Sequence, residues 1–221
     1  MHLSPQQRAA LLDEARAVIR RRLLGGGGAA PAPAEPGAAG ESPTSPPDAA
    51  LSQHAGCFVS LHELRSHRLR GCVGRLEANG PLWDTLRAVA ANVLHDPRFV
   101  DHPVTRHDLP DLEIEISVLS TLRPAPGLLE FDLANEGVYL TWGQRAGCFL
   151  PQVARETGWC REYQLDRLCA EKMGLPPGSW RDPRAKLFLF TALMIGPEPF
   201  VATGSKVQDP PATTVVRAER R

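Results

Sequence analysis

The sequence has neither a long apolar run nor a surplus of charge of either sign. No stretch approaches the roughly 18 consecutive apolar residues that a membrane-spanning helix needs, so we expect no membrane span. The 25 Lys and Arg residues balance 25 Asp and Glu residues, and the formal net charge is zero. Such a chain has no overall electrostatic attraction to nucleic acid or anionic lipid, so a nucleic-acid partner is not expected.

Cofactor and metal motifs are also missing. The sequence contains no Gly-x-Gly-x-x-Gly loop, no Walker lysine and no Gly-x-Ser-x-Gly elbow. Its five cysteines form an odd set without the paired spacing of a zinc knuckle or a redox Cys-x-x-Cys site. We therefore expect no metal and no bound cofactor, and we expect reduced thiols. The cysteines are Cys57, Cys72, Cys148, Cys160 and Cys169.

Composition divides the chain into four segments. Residues 1–24 open with the helix-capping pair Ser4-Pro5 and mix charged residues into an apolar stripe, which predicts a helix packed on the domain and not a signal peptide. Residues 25–53 are mostly Gly, Ala, Pro, Ser and Thr, which predicts a flexible tether. Residues 54–198 form the folded domain and 199–221 a polar C-terminal tail. We expect the protein to be cytoplasmic.

Apolar periodicity within the domain predicts strands that pair by hairpins, with helices between the pairs. In Leu112–Val118 apolar residues alternate with polar ones such as Glu113 and Glu115, which predicts a strand with one buried face and one wet face. Hairpin pairing favours an α+β fold of antiparallel sheets flanked by helices. The other predicted strands are 56–61, 68–73, 138–142, 148–150 and 186–195, and the predicted helices are 81–95, 151–157 and 162–173.

Five motifs stand out in the domain. They are LRGCVG at 69–74, DPRF at 96–99, LEIEISVL at 112–119, GCFLPQVARETGW at 147–159, and LPP at 175–177 followed by WRDP at 180–183. In this order they resemble the AMMECR domain family, protein A of the AmmeMemoRadiSam system. Cys148 departs from the family pattern, in which an aliphatic residue is more usual.

The resemblance implies an α+β protein of two unequal lobes with a cleft between them. It implies no known reaction. Family members in bacteria and archaea are typically encoded beside a Memo-like protein and a radical SAM protein, so the resemblance implies that these two are partners.

LRGCVG carries the strongest candidate site. In a regular strand Arg68 and Arg70 would share a face with Cys72, and nearby cations favour the nucleophilic thiolate. Gly71 and Gly74 would let a ligand or another backbone approach closely. Alternatively, Cys72 is a small buried apolar residue, the glycines mark a bulge, and Arg70 pairs with a carboxylate across the sheet. The remaining cation of this candidate site is Arg75.

Weaker candidates lie elsewhere in the domain. Glu113 and Glu115 could serve acid–base chemistry or could simply be solvated or paired with arginine. Arg98 follows a helix stop at Asp96-Pro97 and could bind a carboxylate or an anionic ligand. Two side chains one helical turn apart could face a ligand, and these are Gln152 and Glu156. The metal-capable residues of the loop 95–108 match no recognised ligand spacing.

Two classes of function follow. The first is a small-molecule enzyme, or the substrate-handling component of one, that works with Memo-like and radical SAM proteins and has its site at Cys72. The alternative is a noncatalytic adaptor that binds a partner protein or, less in keeping with the neutral charge, RNA.

Overall fold

The structure is a computed structural model that describes residues 2–25, 45–77 and 79–201 of the 221-residue chain. Most of the predicted tether and of the C-terminal tail therefore lies outside the described residues. No helix among the described residues is long and apolar enough to cross a membrane.

Local sequence signals set the ends of the helices. At the first helix, the Ser4 hydroxyl accepts a hydrogen bond from the Gln7 backbone while the Gln7 side chain accepts one from the Ser4 backbone. The last two helices end at Gly158 and Gly174, whose left-handed conformation favours glycine. The α-helices are α1 (Pro5–Leu24), α2 (Leu82–Asn92), α3 (Pro151–Thr157) and α4 (Arg161–Met173). Short 3-10 helices cover Ala49–Ser52, Val93–His95, Pro97–Phe99, Leu109–Asp111 and Ser179–Arg181.

The strands are β1 (Cys57–Glu63), β2 (Leu69–Arg75), β3 (Leu112–Leu119), β4 (Arg123–Pro124), β5 (Gly137–Trp142), β6 (Arg145–Phe149), β7 (Lys186–Phe190) and β8 (Ala192–Pro199). They form two antiparallel sheets of four strands each, in the orders β2-β1-β3-β8 and β4-β7-β5-β6. The predicted α+β class with antiparallel sheets is confirmed.

Each sheet has its own apolar core. Helices α1 and α2 pack on one face of the first sheet, where Leu61, Ile114 and Leu86 are fully buried. Helix α4 packs on β6 of the second sheet, around Leu140 and Leu168. One face of the first sheet is therefore covered by helices, and its other face carries the polar residues of β1 and β3.

The chain passes between the sheets at Ser120 and Thr191. The Ser120 backbone N–H donates to the Thr191 carbonyl at 3.0 Å, and the Thr191 N–H donates to Ser120 Oγ at 2.9 Å. The prediction of one continuous strand over 186–195 is wrong, because Thr191 separates β7 of the second sheet from β8 of the first. All the residues around Thr191 are apolar, so periodicity gives no sign of the switch.

Two further expectations differ from the structure. The non-core face of β3 is not wet, since Glu113 is 6% exposed and Ser117 is 3% exposed. The ordered domain also extends past both predicted limits, because Leu51 is fully buried in the first core and so is Phe200. Phe200 donates its backbone N–H to the Leu112 carbonyl, and the Arg20 guanidinium lies over its ring.

We expect Phe200→Ala to lower the free energy of unfolding by about 3–5 kcal/mol, because it leaves a cavity beneath α1. Urea unfolding followed by circular dichroism measures the change. Leu24→Ala is the matched control, since Leu24 is 70% exposed, and it should change stability by less than about 0.5 kcal/mol. An equally small effect of Phe200→Ala would show that residues beyond β8 do not belong to the core.

Candidate functional site

We call the face of the first sheet opposite α1 and α2 the helix-free face, because neither of these two helices covers it. It aligns polar residues of three strands. Cys72 on β2 pairs in register with Ser60 on β1, and Ser60 pairs with Glu115 on β3. Directly opposed residues of adjacent strands point to the same face, so these three side chains form one row. From the spacing of strands, Cys72 and Glu115 are about 10 Å apart, with Ser60 between them.

The loop after α2 fixes the backbone of Cys72. β2 is an edge strand, so its outer N–H and C=O groups need partners other than a strand. The Cys72 N–H donates to Asp96 Oδ2 at 2.9 Å, and Arg98 Nη2 donates to the Cys72 carbonyl at 3.2 Å. Arg98 in turn donates through Nε and Nη2 to the Asp96 carboxylate at 3.0 and 2.7 Å. The DPRF and LRGCVG motifs therefore form one unit.

Electrostatics within this unit favour an ionised Asp96. Burial pushes the pKa of Asp96 up, but hydrogen bonds from Arg98 and from the Cys72 N–H outweigh burial and hold the pKa below its ordinary value. The pKa of Arg98 is raised, first by Asp96 and further by the neighbouring Cys72 thiol. Arg98 is thus the cation beside Cys72.

Arg70 of the LRGCVG segment and Arg68 just before it do not lie beside the thiol. The register of β1 and β2 shifts because Leu61 pairs with Gly71 but His62 pairs with Leu69, which leaves Arg70 as the extra residue of a bulge. Arg70 Nη1 lies 3.6 Å from Glu63 Oε1, and Arg68 also pairs with Glu63. The regular alternation of side chains along β2, which would place both arginines on the Cys72 face, is therefore interrupted by this bulge.

Arg75 lies at the far end of β2, opposite Cys57, whose thiol it influences. Burial raises the pKa of Cys57 to about 12, and the opposing effect of Arg75 is smaller. Cys57 is therefore a protonated core residue, and Arg75 is not placed at Cys72.

The two glycines of the motif make room for protein atoms. A Cβ on Gly71 would lie 2.7 Å from the Val93 carbonyl oxygen. A Cβ on Gly74 would lie 2.1 Å from the Phe58 ring, which covers Gly74 from the neighbouring strand. Gly71 thus permits a close backbone approach, and Gly74 accommodates an aromatic ring.

Two ionisable groups of this face, Glu115 in the row and His62 outside it, have shifted pKa values. Burial raises the pKa of Glu115, and the negative charges of Glu156 and Glu113 raise it further. Burial lowers the pKa of His62, although Glu113 and Glu156 oppose that shift. Glu113 itself is held by His67, whose Nδ1 lies 2.7 Å from Glu113 Oε1. Of the two predicted carboxylates, Glu115 is therefore the better placed for proton exchange.

Residues of α3 and β6 also lie near this face. Gln152 Nε2 on α3 contacts Met194 Sδ of β8 at 2.7 Å, and Glu156 is the residue one turn further along α3. The pKa of Cys148 on β6 is raised first by burial and in part by the Cys72 thiol. Cys148 therefore lies near Cys72. The structure thus brings together Cys72, Arg98, Glu115, Gln152 and Glu156.

Sequence reasoning missed Ser60 and His62. The signal was present, because Phe58, Ser60 and His62 alternate with the apolar residues of β1. The sequence marks Asp96 as a helix stop and as one of several metal-capable loop residues, but it gives no sign that Asp96 accepts a hydrogen bond from the Cys72 backbone. In the described part of the chain, no group of three or more His, Cys, Asp and Glu side chains is arranged to hold a metal ion.

Known proteins share this set of motifs. A family model described as AMMECR1 matches residues 15–195, which is most of the chain. The chain belongs to the AMMECR1 family. The resemblance drawn from the five motifs is therefore confirmed.

Individual members show how far the similarity extends. Protein MJ0810 of Methanocaldococcus jannaschii is 34% identical over 149 residues, which cover 64% of this chain and 73% of that protein. A protein of Thermococcus gammatolerans is 36% identical over 157 residues, 67% of this chain and 74% of that protein. The crystal structure of the uncharacterized protein PH0010 from Pyrococcus horikoshii has a TM-score of 0.73 at 30% identity, and it covers 87% of this chain and 92% of that one.

We expect Asp96→Asn to lower the free energy of unfolding by about 2–4 kcal/mol near neutral pH, because it leaves Arg98 without its buried anion. The folded-state pKa of Asp96 is depressed, so its contribution is present above the ordinary value of 3.8 and is lost as the pH falls below it. The difference between wild type and variant should therefore shrink in acid. Denaturant unfolding between pH 7 and 3 measures it, with the exposed Asp101→Asn as control. A difference that is constant over this pH range would contradict the role given to Asp96.

Proposed function

We propose that this AMMECR1-family protein is an enzyme, or the substrate-handling component of one, that binds a small molecule between its two sheets and acts on it at Cys72. The observation that carries the proposal is the row of Cys72, Ser60 and Glu115 on the helix-free face. A thiol, a buried hydroxyl and a carboxylic acid with a raised pKa in one row are unusual for a purely structural surface.

Each residue has a distinct chemical role in this proposal. The Cys72 thiol adds to a carbonyl carbon of the bound molecule, so that the S–C bond forms as the C=O π bond breaks. The carbonyl oxygen takes the electron pair and one proton, the sulfur gives up one proton, and Arg98 is the cation beside this sulfur. Glu115 exchanges a proton with the bound molecule, for which its raised pKa is suited. Asp96 acts through the backbone of Cys72 and is a positioning residue.

The adaptor alternative has less support. An adaptor needs no buried polar row, and Glu113, Ser60 and Ser117 all lie on the helix-free face with at most 9% exposure. Recognition of a partner protein relies on exposed residues, with apolar anchors at the centre of the contact. The polar groups of this face are better placed to surround a small ligand.

We also propose that the protein works beside a Memo-like protein and a radical SAM protein. The support for this partnership is family membership, which residues 15–195 establish. A place beside such enzymes is consistent with a component that receives or delivers a small reactive molecule.

Iodoacetamide should alkylate Cys72 about tenfold faster than Cys160 at neutral pH, although Cys160 is exposed and Cys72 is partly buried. Site-resolved mass spectrometry over time gives both rates in one sample. Arg98→Gln should slow the alkylation of Cys72 but not that of Cys160. Arg106→Gln, which changes an exposed arginine of the next loop, should leave both rates unchanged. A Cys72 rate at or below that of Cys160 at every pH would exclude a reactive thiol.

Mixing the protein with the Memo-like and radical SAM proteins of the same organism should shift it to an earlier volume in size-exclusion chromatography. The expectation follows from family membership, and an unrelated protein of similar size and charge is the control. Unchanged elution with both candidates, alone and together at tens of micromolar, would contradict a stable partnership.

A further inference from the structure

Negative charge on the helix-free face is only partly compensated. Glu113 and Glu115 face it from β3, and Glu156 faces it from α3. His67 is bonded to Glu113, while His62 of β1 has a lowered pKa caused by burial.

The nearby arginines and lysine do not neutralise Glu115 and Glu156. Arg98 is paired with Asp96, while Arg68 and Arg70 are paired with Glu63. Lys172 of α4 lies over the Phe149 ring and influences Cys148.

One neutral polar group on this face also lacks a partner. Gln152 Oε1 is inaccessible to solvent and accepts no hydrogen bond from any described residue, while the amide nitrogen of the same side chain contacts the weak acceptor Met194 Sδ. Buried polar groups normally have partners, so this acceptor indicates a missing donor.

We propose that the helix-free face binds the protonated amino group of a small organic molecule, held by Glu115, Glu156 and Gln152 Oε1 with its reacting carbon towards Cys72. This rests on the proposed function and adds the substrate class to it. An ammonium group has three N–H donors and one positive charge. It therefore matches two carboxylates and an amide oxygen better than a neutral ligand does.

A metal ion fits the same place less well. The described residues contain no cluster of three metal-capable side chains, and an amide oxygen with two carboxylates on separate elements is a sparse ligand set. An anionic ligand would be repelled by the two carboxylates.

Binding should release a proton. In the free protein, burial and the neighbouring carboxylates keep the Glu115 pKa raised, whereas a bound cation favours the charged form. The amine should therefore bind more tightly as the pH rises through the raised pKa of Glu115. Proton release should accompany binding in that same pH range. A structural role for Glu115 would produce neither effect.

The probe is n-butylammonium chloride, titrated into the full chain at constant ionic strength in two buffers of different ionisation enthalpy. We expect binding with net proton release. Glu115→Gln should weaken binding at least tenfold and abolish the release, and Glu156→Gln should weaken binding several-fold. Glu162 is exposed at the start of α4, so Glu162→Gln should leave the affinity for butylammonium and the proton release unchanged. Because Glu156 is also exposed, its variant keeps the test valid if Glu115→Gln does not fold.

Three results would overturn the proposal: no binding of butylammonium, equal binding of n-butanol, or equal binding of tetramethylammonium, which has the charge without the N–H donors. Alkylation of Cys72 separates this failure from failure of the proposed function. A reactive Cys72 without amine binding would refute the substrate class alone. Amine binding at an unreactive Cys72 would refute the thiol chemistry and leave the amine site standing.

Discussion

The hydrogen bond from the Cys72 N–H to the Asp96 carboxylate is the contact on which the arrangement of the site depends. β2 is an edge strand, and a bulge at Arg70 interrupts its pairing with β1 just before Cys72. Without an outer partner this part of the strand would be held on one side only. Asp96 and Arg98 supply that partner with an acceptor for the N–H and a donor for the carbonyl, as a neighbouring strand would. The hydrogen bonds that Asp96 accepts also lower its pKa, so Asp96 is ionised at neutral pH and can keep accepting them.

A second constraint is the place where the chain passes between the two sheets. The chain passes between the sheets at Ser120 and Thr191, and each residue bonds the backbone of the other. Because both passages occur at one place, β8 returns to the first sheet beside β3 and carries Met194 to Gln152 of α3. This contact places α3 beside the face on which Glu113 and Ser117 are buried, although β3 alternates as an exposed strand would.

Local patterns predicted most of the elements but not their assembly. Capping at Ser4, alternation in Leu112–Leu119 and the glycine at the end of α4 all act within a few residues, so the sequence alone reveals them. The sheet switch at Thr191 and the burial of Glu113 depend on contacts between distant segments. Neither leaves a periodic trace, and both were predicted incorrectly.

The bulge at Arg70 matters most for function, because it changes the charge of the site. With regular alternation, two arginines would have flanked the thiol and the face would have suited an anion. The structure instead directs them to Glu63, so the cation beside Cys72 comes from Arg98, which is already neutralised by Asp96. In the amine site proposed above, the charged groups are Glu115 and Glu156. One inserted residue in β2 thereby removes the positive charge that a regular strand would place beside Cys72.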